Sequence, residues 1–250
     1  MADPLLQAVD LSAGVIVRNV TLALPAGLAG LVGPNGSGKT TLLRALAGVA
    51  PHAGHLRVGG HDMATLQPGE RARKVAYLPQ IAPVSWPVEA AHLVALGRIP
   101  HGDGERATGQ AAVARAMEAT GTAAFAQRRV DTLSGGERAR VLLARALAVE
   151  APVLIADEPI AALDPRYQIE TMQLLRRVAD EGRLVIAAFH DLALAARYSD
   201  TLLVMHAGRL AGAGAPGEVL DDATIGAVFG LARAGSDRFG PVWERARRSD

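Results

Sequence analysis

The chain has 250 residues, half of them hydrophobic and a fifth charged, and its 26 basic and 25 acidic side chains leave a formal net charge of +1. This composition excludes a disordered chain, allows a substantial buried core and gives no electrostatic footprint for nucleic acid. The absence of cysteine excludes disulfides, thiolate catalysis and sulfur-ligated metals, and fits a reducing compartment.

In chain order, MADPLLQAVD lacks the basic start and continuous apolar run of a secretory signal, so the mature protein is expected to begin there. No stretch approaches the roughly 20 uninterrupted apolar residues that span a bilayer. Leu22 and Leu24, then Leu28 to Val32, read as strands, and the second runs into the glycine-rich GPNGSGKT, Gly33 to Thr40. TLLRALA, Thr41 to Ala47, has helical formers and apolar spacing and stops at Gly48 and Pro51. From about Ala90 to Ala148 alanine, arginine and glutamate recur at helical spacing, predicting an inserted helical lobe with helices starting near Val88, Glu105 and Ser134. Strand signals return at VLIAD, Val153 to Asp157, and at LVIAAF, Leu184 to Phe189. Both are continuous apolar runs of the kind buried on two faces in a parallel sheet. Helices over Arg166 to Asp180 and Leu192 to Tyr198 alternate with them, and the closing WERARRSD reads as a charged, solvated tail.

GPNGSGKT fits the phosphate-loop pattern G-x-x-x-x-G-K-[ST] between a strand and a helix, the context that pattern needs. Glycines 33, 36 and 38 let backbone N–H groups turn toward phosphates, and the following helix adds the positive end of its dipole. Gly33, Pro34, Asn35, Gly36, Ser37, Gly38, Lys39, Thr40 and Thr41 are therefore candidate nucleotide-binding residues. Lys39 is expected to reach the β and γ phosphates and the Thr40 hydroxyl to coordinate magnesium. A nearby carboxylate at a strand end is also required, and VLIADE supplies two. Asp157 is expected to hold magnesium, and Glu158 to act as general base on the attacking water. Taken alone, an Asp-Glu pair after a strand is as readily a solvated turn.

LSGGE, Leu133 to Glu137, precedes the acidic strand, and His190 follows the next one. With these the chain resembles an ATP-binding cassette (ABC) ATPase over nearly its whole length. The marks stand in the family's order: GPNGSGKT, Gln80 in AYLPQ, LSGGE, VLIADE, Asp164 in AALD, and His190. The resemblance implies an α/β P-loop NTPase fold, with a mostly parallel sheet core, an antiparallel β region and an inserted helical subdomain. The expected division is a nucleotide-binding core at about 1–84 and 150–230, a helical subdomain at about 85–149 and a short C-terminal tail at 231–250.

It also implies ATP and Mg2+, bound in a head-to-tail homodimer that sandwiches two ATP molecules. Ser134, Gly135 and Gly136 would complete the partner's site, since Ser134 can cap a helix and the two glycines allow close approach to an anion. Gln80 would touch magnesium and the attacking water, His190 would contact the γ-phosphate beside Glu158, and Asp164 would link the two sites. Outside that family pattern, Ser134 with Glu137 is a plain capping box, Gln80 a surface residue, His190 a neighbour of a helix cap and Asp164 a turn residue before Pro165.

Two classes of function remain open: a transporter motor, and a soluble ABC ATPase acting in DNA repair or translation. There is neither a coiled-coil insertion in the helical lobe nor a second cassette, which favours the transporter and argues against a nucleic-acid partner. A stand-alone cassette resembles the detachable subunit of bacterial importers, and no room is expected after Leu231 for the regulatory domain of sugar importers. Ser85 to His101 and His190 to Pro216 resemble the subfamily importing iron chelates, haem and vitamin B12, with siderophore or haem ahead of cobalamin; the motor of a transporter for another substrate is the remaining alternative. The expected partners are a second copy, integral-membrane permease subunits received near Trp86 and the helix from Val88, and a periplasmic or extracellular binding protein reached through the permease. The location implied is the cytoplasmic face of the inner membrane. Trp86 is as readily a core aromatic.

The chain departs from the family at Ile160 and Ala161, where threonine and serine are common, and at Ala139, where glutamine is usual. Relatives also stack adenine on an aromatic residue upstream of the phosphate loop. Here Leu11 to Val17 reads LSAGVIV and no aromatic residue precedes Tyr77. Unless Arg18 or an apolar side chain substitutes, nucleotide affinity is expected to be weakened and to come mainly from phosphates and magnesium, and a tyrosine introduced at Ala13 tests whether this loop approaches the adenine.

Overall fold

The computed structural model describes residues 3–80, 87–237 and 240–245. Its strands in chain order are β1 (Leu6–Ala13), β2 (Val17–Leu24), β3 (Gly27–Val32), β4 (Ala53–Val58), β5 (His61–Asp62), β6 (Val75–Leu78), β7 (Val153–Ala156), β8 (Leu184–Ala188), β9 (Thr201–His206), β10 (Arg209–Gly214), β11 (Leu231–Asp237) and β12 (Gly240–Arg245). The helices used below are α1 (Lys39–Leu46), α2 (Pro68–Lys74), α3 (Ala90–Ala95), α4 (Ala107–Ala119), α5 (Gly135–Ala148), α6 (Pro165–Asp180) and α7 (Leu192–Tyr198).

Six strands form the central sheet in the order β10-β9-β3-β8-β7-β6, all parallel except the β9–β10 pair. The uninterrupted apolar runs follow from burial on both faces. In β7, Leu154 and Ala156 join a core with α5 and α6, while Val153 and Ile155 join a second core with α1 and the N-terminal strands. That second core is closed by a four-stranded antiparallel sheet in the order β2-β1-β4-β5. The expected α/β architecture, parallel core and antiparallel region are thus present, and α3, α4 and α5 lie between β6 and β7 in the chain.

Three local readings need correction. β1 and β4 are not legible as strands from the sequence, because their buried residues do not follow a clean apolar–polar alternation and bulges break the β1 pairing with both neighbours. Helix α1 starts at Lys39, not Thr41, since Gly38 takes a left-handed conformation (φ 102°) as its N-cap and turns the chain directly into the helix. The stretch read as a tail holds the β11–β12 ribbon, whose backbone pairing runs from Leu231 opposite Arg245 to Asp237 opposite Gly240. Trp86 lies outside the described residues. Among the described residues no helix is long and apolar enough to cross a membrane.

Candidate nucleotide site

Four neighbouring strands, β3, β8, β7 and β6, end on the same edge of the central sheet and deliver the phosphate loop, His190, Glu158 and Gln80 respectively. A crevice at the carboxyl ends of parallel strands is where ligands bind in open α/β sheets. The result is a cavity of about 430 Å³ lined by Ile16, residues 35–41, Gln80, Glu158 and His190.

The loop conformation is set by its glycines. A side chain at Gly33, where φ is 153°, would run into the Met205 carbonyl and the Ser37 hydroxyl, and one at Gly38 would press on Ile16 and Val17. Lys39 is buried, and its ammonium donates to the Gly33 carbonyl at 2.7 Å and the Pro34 carbonyl at 3.2 Å. Burial pushes the ammonium below the usual lysine range, against the opposing pull of Glu158 and Asp157.

Glu158 occupies a strained left-handed conformation at φ 56°. Both its oxygens are engaged: Gln80 Nε2 donates to Oε2 at 2.8 Å, and His190 Nε2 lies 2.5 Å from Oε1. Asp157, one residue earlier, is 2 % exposed, and burial raises its pKa above the usual carboxylate range. The Thr40 hydroxyl opposes that rise in part, yet neither Asp157 oxygen completes a hydrogen bond of good geometry. Two buried, orphaned carboxylate oxygens beside a hydroxyl form a donor set suited to a hard divalent cation. The Gln80 amide oxygen points to the same chemistry, because its hydrogen bond to Glu158 uses only the amide nitrogen.

The other candidates lie outside this cavity lining. Ser134 caps α5 in a complete capping box: its amide donates to the Glu137 carboxylate at 2.8 Å, and its hydroxyl accepts from the Glu137 amide at 3.3 Å. The Ser134 amide first, and then the Ser134 hydroxyl and Arg128, hold the Glu137 carboxyl below its ordinary range. Gly135 has open space around it and Gly136 faces the backbone of Ala162. Asp164 is exposed at the N-cap of α6 and its side chain makes no capping bond. The structure therefore groups Ser134 to Gly136 with the segment leading into Asp164, and groups Gln80, Glu158 and His190 with the phosphate loop.

One lining residue was not singled out from the sequence. Ile16 is 43 % exposed at the turn between β1 and β2, with its Cγ2 against Gly38, whereas Ala13 is 3 % exposed in the β1 core. Which side chain of this stretch reaches the cavity depends on turn register: Ile16 lines it, whereas Ala13 is enclosed in the core.

Comparison with known families bears on the same residues. Residues 17–161 match the family model described as ABC transporter, and the chain belongs to that family. Its relatives include the cobalamin import ATP-binding protein BtuD of Halobacterium salinarum, 49 % identical over 225 residues, covering 88 % of this chain and 56 % of that protein. The chain thus spans little more than half the length of that relative. The hemin import ATP-binding protein HmuV of Streptomyces coelicolor is 47 % identical over 201 residues, covering 80 % of this chain and 72 % of that protein. Among solved structures, an ATP binding subunit of an ABC transporter superposes with a TM-score of 0.78 at 24 % identity, covering 86 % of this chain and 91 % of the other, and so shares the fold.

Proposed function

We propose that the chain is the ATP-hydrolysing motor subunit of an importer, taking up a hemin, siderophore or cobalamin cargo and working as a head-to-tail homodimer on the cytoplasmic face of the membrane. The observation that carries the reading is the convergence of the phosphate loop, Gln80, Glu158 and His190 on one cavity from four separate chain segments. In this reading residues 33–41 bind the ATP phosphates, and Lys39 exchanges the Gly33 and Pro34 carbonyls for the β and γ oxygens. Thr40, Asp157 and Gln80 would hold magnesium, which when bound offsets charge on the phosphates. Glu158 takes the proton of the attacking water, and His190, paired with it, orients its carboxylate. Ser134, Gly135, Gly136 and Asp164 belong to the surface that completes the partner's site, and the adenine lies against Ile16.

We further assign the nucleotide-binding core to about 1–84 and 150–230 and the helical subdomain to about 85–149. The permease is the proposed occupant of a groove of about 460 Å³ where α2, α5 and the 3-10 segment Leu96–His101 meet. Val49 and Leu96 supply exposed apolar surface there. Arg71 and Arg145 line the groove without an ion-pair partner among the described residues, and burial lowers the Arg145 pKa. An apolar segment carrying a carboxylate suits that lining. A periplasmic or extracellular binding protein would deliver cargo through the permease.

Glu158→Gln tests the core of this reading, since it keeps shape and hydrogen bonding but removes proton acceptance. Hydrolysis should fall by roughly 10²–10⁴-fold while ATP still binds, with an ATP-dependent dimer visible by size exclusion. Hydrolysis at the parental rate would remove Glu158 from the role of base.

A further inference from the structure

Away from the phosphate site, where α5 meets α6, the Arg140 guanidinium lies 4.2 Å from the centre of the Tyr167 ring and 5.5 Å from that of Phe125. Both distances fall inside the range in which a cation is held over an aromatic face. Its Nη1 also donates to the Gly121 carbonyl at 3.2 Å and the Thr120 carbonyl at 3.5 Å, just beyond the end of α4. The Arg140 Nε is buried and makes no hydrogen bond, so the two rings and those carbonyls are what hold the group.

The same Phe125 ring carries a second cation, Arg128, 5.2 Å from its centre. Arg128 pairs with Glu137 at 2.9 Å, and Glu137 closes the capping box of Ser134. On the other side, Tyr167 sits in the first turn of α6, whose N-cap position is Asp164. An unbroken series of contacts therefore runs from the N-terminus of α5 through Arg128, Phe125, Arg140 and Tyr167 to the N-terminus of α6. A cavity of about 270 Å³ borders Arg140 and Tyr167, so shortening either side chain enlarges an existing space.

We propose that Arg140 is a positioning residue for ATP hydrolysis. By stacking between Tyr167 and Phe125 it fixes the start of α6, with Asp164, relative to the start of α5, with Ser134 to Gly136, so that both meet the partner subunit as one preset surface. This rests on the dimeric ATPase reading above. A lysine cannot replace it, because a compact ammonium neither lies flat on a ring nor spans two carbonyls while doing so.

The test is steady-state ATPase activity against ATP and against chain concentration for the parent and for Arg140→Met, Arg140→Lys, Tyr167→Leu and Tyr167→Phe, with the ATP affinity of the dilute, monomeric chain measured alongside by titration. Arg140→Met and Tyr167→Leu should lower kcat about ten-fold, the size expected from one stacked cation. They should also raise the chain concentration at half-maximal activity while leaving monomer ATP affinity unchanged. Arg140→Lys should stay impaired, and Tyr167→Phe, which keeps the ring, should retain parental kcat. Parental kcat and concentration dependence in Arg140→Met would overturn the proposal. So would a loss of monomer affinity in step with kcat, or a Tyr167→Phe variant as impaired as Tyr167→Leu. A parent that hydrolyses no ATP would instead remove the ATPase reading, a result visible without any variant.

Discussion

In the proposed reading, Lys39 is the residue on which nucleotide binding depends most directly. It is buried, and its ammonium already lies against backbone oxygens of the loop that would cradle phosphates. Lys39→Ala should weaken ATP binding by about ten- to a hundred-fold, the worth of a charge-assisted hydrogen bond of roughly 1.5–3 kcal/mol, and abolish turnover. Isothermal titration with unchanged affinity would show that the loop is not a phosphate site. Ile16 sets the second expectation at this scale. An aliphatic side chain covers a base without the 1–3 kcal/mol or so that an aromatic stack contributes, so the phosphates should dominate affinity. Michaelis constants for ATP and GTP should then lie within about ten-fold, a gap of roughly 1.4 kcal/mol. Ile16→Tyr should tighten ATP, whereas Ala13→Tyr would force a ring into the β1 core. A preference for ATP above about a hundred-fold would mean that another group reads the base.

At the scale of elements, the helical segment between β6 and β7 is braced from within by Arg98, which is 5 % exposed. Its guanidinium binds Asp103 at 2.8 Å and Glu150 at 2.9 Å, and donates to the Ala148 carbonyl at the C-terminus of α5. The hydrogen bond from Arg98 holds the Asp103 carboxyl at about 2, against an ordinary value of 3.8. A carboxylate whose folded pKa is depressed contributes stability above its unfolded pKa and loses it as pH falls through the folded one. The Asp103 contribution should therefore be complete above about pH 4 and vanish by about pH 2. Calorimetric Tm measured against pH should fall less steeply in that window for Asp103→Asn than for the parent. Equal slopes would mean that Asp103 does not feel Arg98. The β11–β12 ribbon belongs to this scale too. Its glycines and charges obscure the alternation by which a strand is read, while its backbone pairing needs only two facing segments.

For the whole molecule, Ser134 to Gly136 stand outside the cavity that holds the phosphate loop, while the helix N-terminus they form is a second place for an anion. A two-fold dimer in which each chain presents that terminus to its partner uses both sites twice. Ser134→Arg should leave nucleotide binding by the single chain nearly intact and abolish ATPase activity; full activity in that variant would rule out the sandwich.

The sequence by itself determined what depends on neighbours along the chain. The phosphate-loop turn follows from Gly33 and Gly38 bracketing PNGS just before Lys39, the cap of α5 from Ser134 three residues before Glu137, and the two-faced burial of β7 and β8 from runs with no polar position to expose. The expected roles of Gln80 and His190 came with the family pattern, and that of Glu158 from the strand-end carboxylate a phosphate loop needs; spacing brings none of them together, since 78 residues separate Gln80 from Glu158 and 32 separate Glu158 from His190. Only the strand order β3-β8-β7-β6 brings them to one cavity, because parallel neighbours end on the same edge whatever their distance in the chain. Tertiary structure also decided that Ile16 and not Ala13 faces the loop, since the turn between β1 and β2 sets which side chain leaves the sheet. It decided as well that Phe125, Arg140 and Tyr167 stack, because cation–π contact depends on how α5 and α6 lie against each other, which no periodicity within either helix encodes.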